Sequence, residues 1–407
     1  MIKPHSKIKG VNRTLIERIR IIQEELPESH RAYTDKYFIR SREILAKDGY
    51  NPWIRYQVFI RGGPMQLRGV NEAVAIVDKY SKLDDSGGQI YFLPEGSIIN
   101  QVSSKEPVMI LEGPIQELIE LETMYLGALS AGTSGSPDLL SIKDEASRIV
   151  QAARTKPVLY FGARHFHYTL DEIIADICRK AGFAGTSTDI GAMAWDGEGS
   201  GTIPHALVLA YNSTLEAAIK FNTYMPEYVP RIALIDTFNR EIEDALRVAS
   251  VLKGALAGVR IDTCGENEPQ GQNEYKELHI PKLTVEEENK YLYGHGVTIA
   301  GVWALRRALD EAGFEDVELF VSSGFNASKI EAFVKADKFY KRCYGNQLFS
   351  AIGTGSVAPG CVFATSDIVA IYDETRGVWK PRAKVGRGYT PNPKLIPFYN
   401  PRRRENV

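Results

Sequence analysis

Only four cysteines occur in the 407 residues, at Cys178, Cys264, Cys343 and Cys361. None forms a C-x-x-C pair, which argues against a structural zinc site and for reduced thiols in a cytoplasm. Charge of one sign is equally scarce. Lysine and arginine total 49 against 51 aspartate and glutamate, a net charge of −2, so no basic field invites nucleic acid. Long apolar stretches are missing too. The longest, such as Ala206 to Tyr211, run to about six residues, far below the roughly 20 that span a bilayer. Met1 to Gly10 is polar and lysine-rich with no apolar segment behind it, so no signal peptide is expected. Arg402-Arg403-Arg404 reads as a solvated tail. What remains is the composition of a soluble globular protein, 44% hydrophobic and 25% charged, long enough for two or three domains.

Residues 14–26 place Leu15, Ile19, Ile22 and Leu26 on one helical face before Pro27, and Thr34 or Asp35 caps a second helix. Residues 54–60 and 106–112 read as strands of an antiparallel sheet, with turns at Pro94-Glu95-Gly96 and Glu112-Gly113-Pro114. Residues 115–130 return to helix. The Gly- and Ser-rich stretch Ser130 to Pro137 is the expected boundary between residues 1–130 and a second domain at 138–363. Residues 364–407 resume strand-and-turn texture and are expected to complete the first sheet.

Between 138 and 363 strands and helices alternate. Val158 to Phe161 is apolar on both faces, as in a covered parallel strand. It breaks at Gly162 into a cationic turn, Arg164, His165 and His167, and Thr169 with Glu172 suggests a capping box opening the next helix. Further strands are expected at Arg231–Ile235, Ala257–Ile261, Val317–Val321 and Leu348–Ile352. This pattern favours a (β/α) barrel beside an α+β domain, a mixed α/β protein.

In such a fold the carboxyl ends of the strands carry the chemistry. Those ends supply Arg164 and His165, then His205 after a glycine-rich loop, Asp236, Arg260 with Asp262, Ser322-Ser323-Gly324, and Gly353-Thr354-Gly355. The last two are small turns of the type that hold phosphate on backbone N–H groups. The arginines suit bidentate grip on phosphate or carboxylate. The aspartates suit sugar hydroxyls or a Mg²⁺ held partly by substrate oxygens. Together they point to a phosphorylated sugar.

The motifs resemble those of the nicotinate phosphoribosyltransferase family. Thr34-Asp35-Lys36-Tyr37, Leu93-Pro94-Glu95-Gly96, Glu112-Gly113-Pro114, Leu121-Glu122-Thr123, Phe161-Gly162-Ala163-Arg164, Gly185-Thr186-Ser187, Gly201-Thr202-Ile203-Pro204-His205, Asp236-Thr237 and Gly258-Val259-Arg260-Ile261-Asp262-Thr263 follow its order. The resemblance implies transfer of phosphoribose from 5-phosphoribosyl 1-pyrophosphate to nicotinate, in a cytoplasmic homodimer with shared active sites. It implies that Phe161 and the partner's Tyr37 sandwich the pyridine ring, and that Arg164 and Arg260 bind carboxylate or pyrophosphate. It gives Asp236 and Asp262 ribose hydroxyls, directly or through Mg²⁺. It gives Ser323, Gly324, Gly353, Thr354 and Gly355 the 5′-phosphate, and puts His165, Gly201, Thr202 and Thr263 at the substrate. His205 falls where the family carries a histidine phosphorylated by ATP; a core histidine is the plain alternative.

Three positions depart from the family pattern: His165 replaces a second arginine, Ala206 a common serine, and Cys264-Gly265-Glu266 a G-D extension. They bear on ATP coupling and resemble a shorter, archaeal-type branch. Quinolinate or nicotinamide as acceptor, and a non-catalytic phosphosugar-binding paralogue, are the rival readings. An aldolase lacks a strand-end lysine for a Schiff base.

Overall fold

The computed structural model describes residues 11–60, 62–100 and 105–398; the basic triplet at 402–404 and the segment 1–10 lie outside them. Two six-stranded sheets organise the chain. The first is antiparallel, in the order Val378–Pro381, Ala364–Asp373, Trp53–Ile60, Met109–Pro114, Gln89–Phe92, Ile396–Pro397. Strands from both ends of the sequence thus share one sheet. Its central strand, Trp53–Ile60, sends Ile54, Tyr56, Val58 and Ile60 into the core, and Gln57 and Phe59 on its other face are buried as well.

The second sheet is parallel: Gly185–Thr186, Val158–Tyr160, Ala351–Thr354, Glu318–Val321, Gly258–Ile261, Ile232–Leu234. Its helices include Asp171–Ala181, Glu241–Leu252, Ile299–Glu311 and Ala327–Tyr344. Among the described residues the two edge strands do not pair, so the sheet is not closed by strand hydrogen bonds. The glycine-rich loop bridges the gap instead. The Ser200 amide donates to Thr186 O at 2.7 Å, and Thr202 Oγ1 donates to Ile232 O at 2.6 Å.

Several expected boundaries move. The helix after residue 115 breaks near Leu121 and then runs on as Glu122–Ser134, so most of the Gly/Ser-rich stretch is helical, and only Gly135 ends it. The small residues serve close packing. A Cβ on Gly132 would lie 2.6 Å from Gly69 N, and one on Gly127 would lie 2.5 Å from Phe166 O. The strand expected at 106–112 begins only at Met109, because Pro107 has no N–H to offer a ladder. No capping box forms at Thr169. A 3₁₀ turn, Tyr168–Leu170, precedes the helix, and the Thr169 hydroxyl pairs with His167 Nδ1 at 2.7 Å. The last parallel strand includes Gly353 and Thr354, paired with Leu159 and Tyr160, so those two residues belong to the strand and not to a turn after it.

Candidate active site

One cavity of about 240 Å³ opens where the carboxyl ends of the parallel strands face the antiparallel sheet. It gathers Tyr37, Phe161, Arg164, His165, His205, Arg260, Asp262, Ser323, Gly324, Gly353, Thr354 and Gly355. A common strand direction brings these residues to one end of the sheet. Four expected residues do not line it. Asp236 and Thr263 are fully buried, and the Thr263 hydroxyl donates to Glu241 Oε1 at 2.8 Å. Thr202 is spent on bridging the sheet edges. Gly201, at φ +126°, lies behind Tyr37, where a Cβ would meet the tyrosine ring at 2.7 Å.

Tyr37 enters from the start of the helix Lys36–Lys47. Asp35 does not cap this helix through its side chain; its carboxylate accepts from Tyr37 Oη at 2.9 Å and from Thr123 Oγ1 at 3.0 Å. The resemblance places the partner's Tyr37 against the pyridine ring. Here the chain's own Tyr37 lines the cavity that Phe161 lines.

The turn after Val158–Tyr160 presents one cation to the cavity, Arg164. Arg164 lines the cavity, with Nη1 donating to Glu122 Oε1 at 3.3 Å. Burial pushes the Glu122 carboxyl up to about 8, with Arg164 pulling it down and Asp367 and Asp35 adding to the rise. As a neutral acid, Glu122 does not cancel the guanidinium charge, which Asp35 and Asp262 also face. His165 is neutral as well, pushed down to about 4 by burial and by Arg164. Its Nδ1 donates to Gly355 O at 3.0 Å and its ring stacks on Phe363 at 4.0 Å. His167 turns away, 2.8 Å from Glu72.

Arg260 Nη1 reaches Asp262 Oδ2 at 3.3 Å and Ser322 Oγ at 3.1 Å, and Nη2 donates to Ile203 O at 3.2 Å. Beyond it, Ser323 and Gly324 both hold positive φ, +80° and +66°, a left-handed backbone uncommon for serine. At Gly353 a Cβ would come within 2.6 Å of the Phe161 ring, so only glycine fits. The Thr354 hydroxyl is committed to the fold, donating to Phe325 O at 2.7 Å.

His205 does not end a strand. It opens the helix His205–Tyr211, and its Nε2 lies 3.0 Å from Asp236 Oδ2. Lys384 Nζ lies 2.6 Å from that same carboxylate oxygen and 2.8 Å from His205 Nε2. Lys384, Glu122, Asp367 and Arg387 were absent from the expected site. Glu122 sat inside a recognisable motif. Lys384 and Arg387 lie in a basic segment whose pattern matches that of a solvated surface. The strand ends thus have a lysine after all, supplied from elsewhere in the chain. Asp236 and Asp262 hold it charged against the effect of burial, so it is no free amine for a Schiff base.

The carboxylates do not fit a resident divalent ion. Asp236 Oδ2 is taken by an ammonium and an imidazole, Asp262 by Arg260 and by Ser322 Oγ at 2.9 Å. Among the described residues no group of three or more His, Cys, Asp or Glu could hold a metal. All four cysteines are free, and no described helix is long and apolar enough to cross a membrane.

The fold is mixed α/β, and its cavity is walled by arginines and backbone N–H groups at the carboxyl ends of parallel strands, a setting suited to anionic groups. No family model matches it. It is 28% identical over 254 residues to nicotinate phosphoribosyltransferase pncB2 of Mycobacterium tuberculosis, covering 61% of this chain and 45% of that protein. It is 24% identical over 329 residues to nicotinate phosphoribosyltransferase of Bacillus subtilis, covering 73% of this chain and 59% of that one. The chain therefore spans about half the length of the curated relatives it matches. In fold it resembles nicotinate phosphoribosyltransferase of Porphyromonas gingivalis, with a TM-score of 0.55 at 12% identity over 86% of this chain and 92% of that one. The chain is thus similar in sequence and in fold to nicotinate phosphoribosyltransferases.

Proposed function

We propose that the protein joins nicotinate to 5-phosphoribosyl 1-pyrophosphate, giving nicotinate mononucleotide and pyrophosphate. The observation that carries this reading is the convergence of Phe161, Tyr37, Arg164, Arg260, Asp262 and the Ser323 and Gly353 backbones on one cavity. In the proposed fold reading, the parallel sheet and its bridging loop form an irregular, incompletely closed (β/α) barrel.

The pyridine nitrogen attacks the anomeric carbon as the bond to the diphosphate oxygen breaks. The electron pair leaves with pyrophosphate and the ring nitrogen becomes a pyridinium, so no proton transfer is needed. The chain's task is alignment and charge stabilisation. Phe161 and Tyr37 offer flat faces to the ring, worth about 0.5–1.5 kcal/mol beyond burial. Arg164, uncancelled by neutral Glu122, attracts the carboxylate. Arg260 stabilises the departing diphosphate, Asp262 accepts from ribose hydroxyls, and the Ser323–Gly324 turn and the Gly353–Gly355 backbone hold the 5′-phosphate. A Mg²⁺ carried in by the diphosphate belongs to the substrate, and ATP, if it acts, does so as an accessory phosphoryl donor.

The test is product formation from phosphoribosyl pyrophosphate with nicotinate, quinolinate or nicotinamide, each with and without ATP. Mononucleotide from nicotinate alone is expected. Preference for another acceptor overturns the substrate assignment, and no product from any acceptor overturns the reading altogether.

A further inference from the structure

Lys384 reaches the site from outside the parallel sheet. It follows the strand Val378–Pro381, and its loop is pinned to the strand ends: the Val385 amide donates to Thr237 O at 3.1 Å, and Asn267 Nδ2 donates to Val385 O at 2.8 Å. The side chain is 5% exposed. Its ammonium lies 2.6 Å from Asp236 Oδ2, 2.8 Å from His205 Nε2 and 3.0 Å from Asp262 O. An ammonium has three donors and no acceptor, so these contacts use all three.

We propose that Lys384 is a positioning residue that sets the tautomer of His205, forcing the ring proton onto Nδ1 by donating to Nε2. The alternative puts the proton on Nε2, donating to Asp236 Oδ2 at 3.0 Å. That arrangement would leave the ammonium donor that faces Nε2 with no lone pair to receive it. The charges facing the ring from each packed element are Lys384, Asp236 and Asp262. Burial and Lys384 hold His205 below its ordinary value against the pull of the two aspartates. The neutral ring thus keeps a lone pair for Lys384. Among the described residues no hydrogen bond engages Nδ1, which leaves an N–H there for a ligand of the cavity that His205 lines. A buried histidine whose second nitrogen is set by a fixed partner is a general device for choosing which proton it offers.

The inference rests on the phosphoribosyl reading only for its kinetic consequence. The structural test is ¹⁵N-histidine labelling of the full-length protein, with His205 among the seven histidines assigned from the signal lost in His205→Gln. In the parent, Nε2 is expected at the shift of an unprotonated ring nitrogen and Nδ1 at that of a protonated one. In Lys384→Met the pattern should invert, because Asp236 then draws the proton to Nε2. Lys384→Arg should keep the parent pattern. A parent ring protonated at Nε2, or a pattern unchanged in Lys384→Met, overturns the proposal. Should Lys384→Met fail to fold, the parent spectrum still decides. In turnover, Lys384→Met should lower kcat roughly 10²-fold, the cost of one lost preorganised donor, with KM for nicotinate little changed. Unchanged kcat counts against the proposal. Absence of transfer by the parent protein would overturn the functional reading, and the tautomer result would stand independently.

Discussion

The parallel sheet brings Arg164, Arg260, Asp262 and the Gly353–Gly355 backbone to the cavity from the carboxyl ends of its strands. The antiparallel sheet contributes from the middles of strands, at Tyr56 and Asp367, and from the loop that holds Lys384 and Arg387. Parallel strands share a direction, so position along the chain determines which residues meet. Antiparallel strands have no common end, and what meets there depends on register and on how the sheet docks. Even within the parallel sheet, equivalent strand ends diverge. Asp262 lines the cavity, whereas Asp236 is fully buried beneath Lys384 and His205.

The sharpest way to break this contrast is Arg260→Ala, at the carboxyl end of its strand. Turnover should fall 10²–10³-fold, about 2.7–4 kcal/mol of lost charge stabilisation, measured as nicotinate mononucleotide formed per minute. A loss of only a few-fold would remove Arg260 from the mechanism.

Arg231 marks the opposite, amino end of the same sheet. Its guanidinium donates to the carbonyls of Asn222, Met225, Pro226, Glu227 and Val229. Arg231→Ala strands these buried acceptors and should cost upwards of about 3 kcal/mol in urea unfolding. Activity per folded molecule should stay near that of the parent. A drop in turnover without a loss of stability would erase the distinction between the two ends.

Gly353→Ala pushes a methyl into the Phe161 ring, where about 1–3 kcal/mol of overpacking is expected. KM for nicotinate should rise more than the unfolding midpoint falls. An unchanged KM would mean that Phe161 does not hold the ring.

The smallest effect concerns Glu122, on the helix beside the antiparallel sheet. Its carboxyl is pushed up to about 8 by burial, so it is neutral below that pH and ionised above it. Rising pH then places a carboxylate 3.3 Å from Arg164 and weakens binding of a second anion. Nicotinate affinity should decline above about pH 8, by at most about tenfold, one pKa unit's worth of interaction. Glu122→Gln should flatten that limb. A decline that persists in Glu122→Gln belongs to another group.

Much of the fold was legible because it rests on local rules. The β/α alternation, the strand around Val158 and the strand ends that carry Arg164, Arg260, Asp262 and Ser323 follow from hydrophobic period and turn residues. Ser130–Ser134 misled because glycine and serine mark both linkers and tight helix contacts, and only the presence of the 68–69 backbone beside Gly132 separates the two. His205 looked like a strand end because Pro204 and a glycine-rich loop precede both strands and helices.

The sequence alone determined the chemical types available, namely arginines, aspartates and small turns at the ends of parallel strands, because strand direction turns order along the chain into position in space. Only the tertiary structure decided which of them face the cavity and which are held by a neighbour. Lys384 lies 148 residues from Asp236 along the chain, and no local pattern encodes that an ammonium occupies this carboxylate. That choice is made by the docking of one sheet on the other, where a buried charge must find its partners.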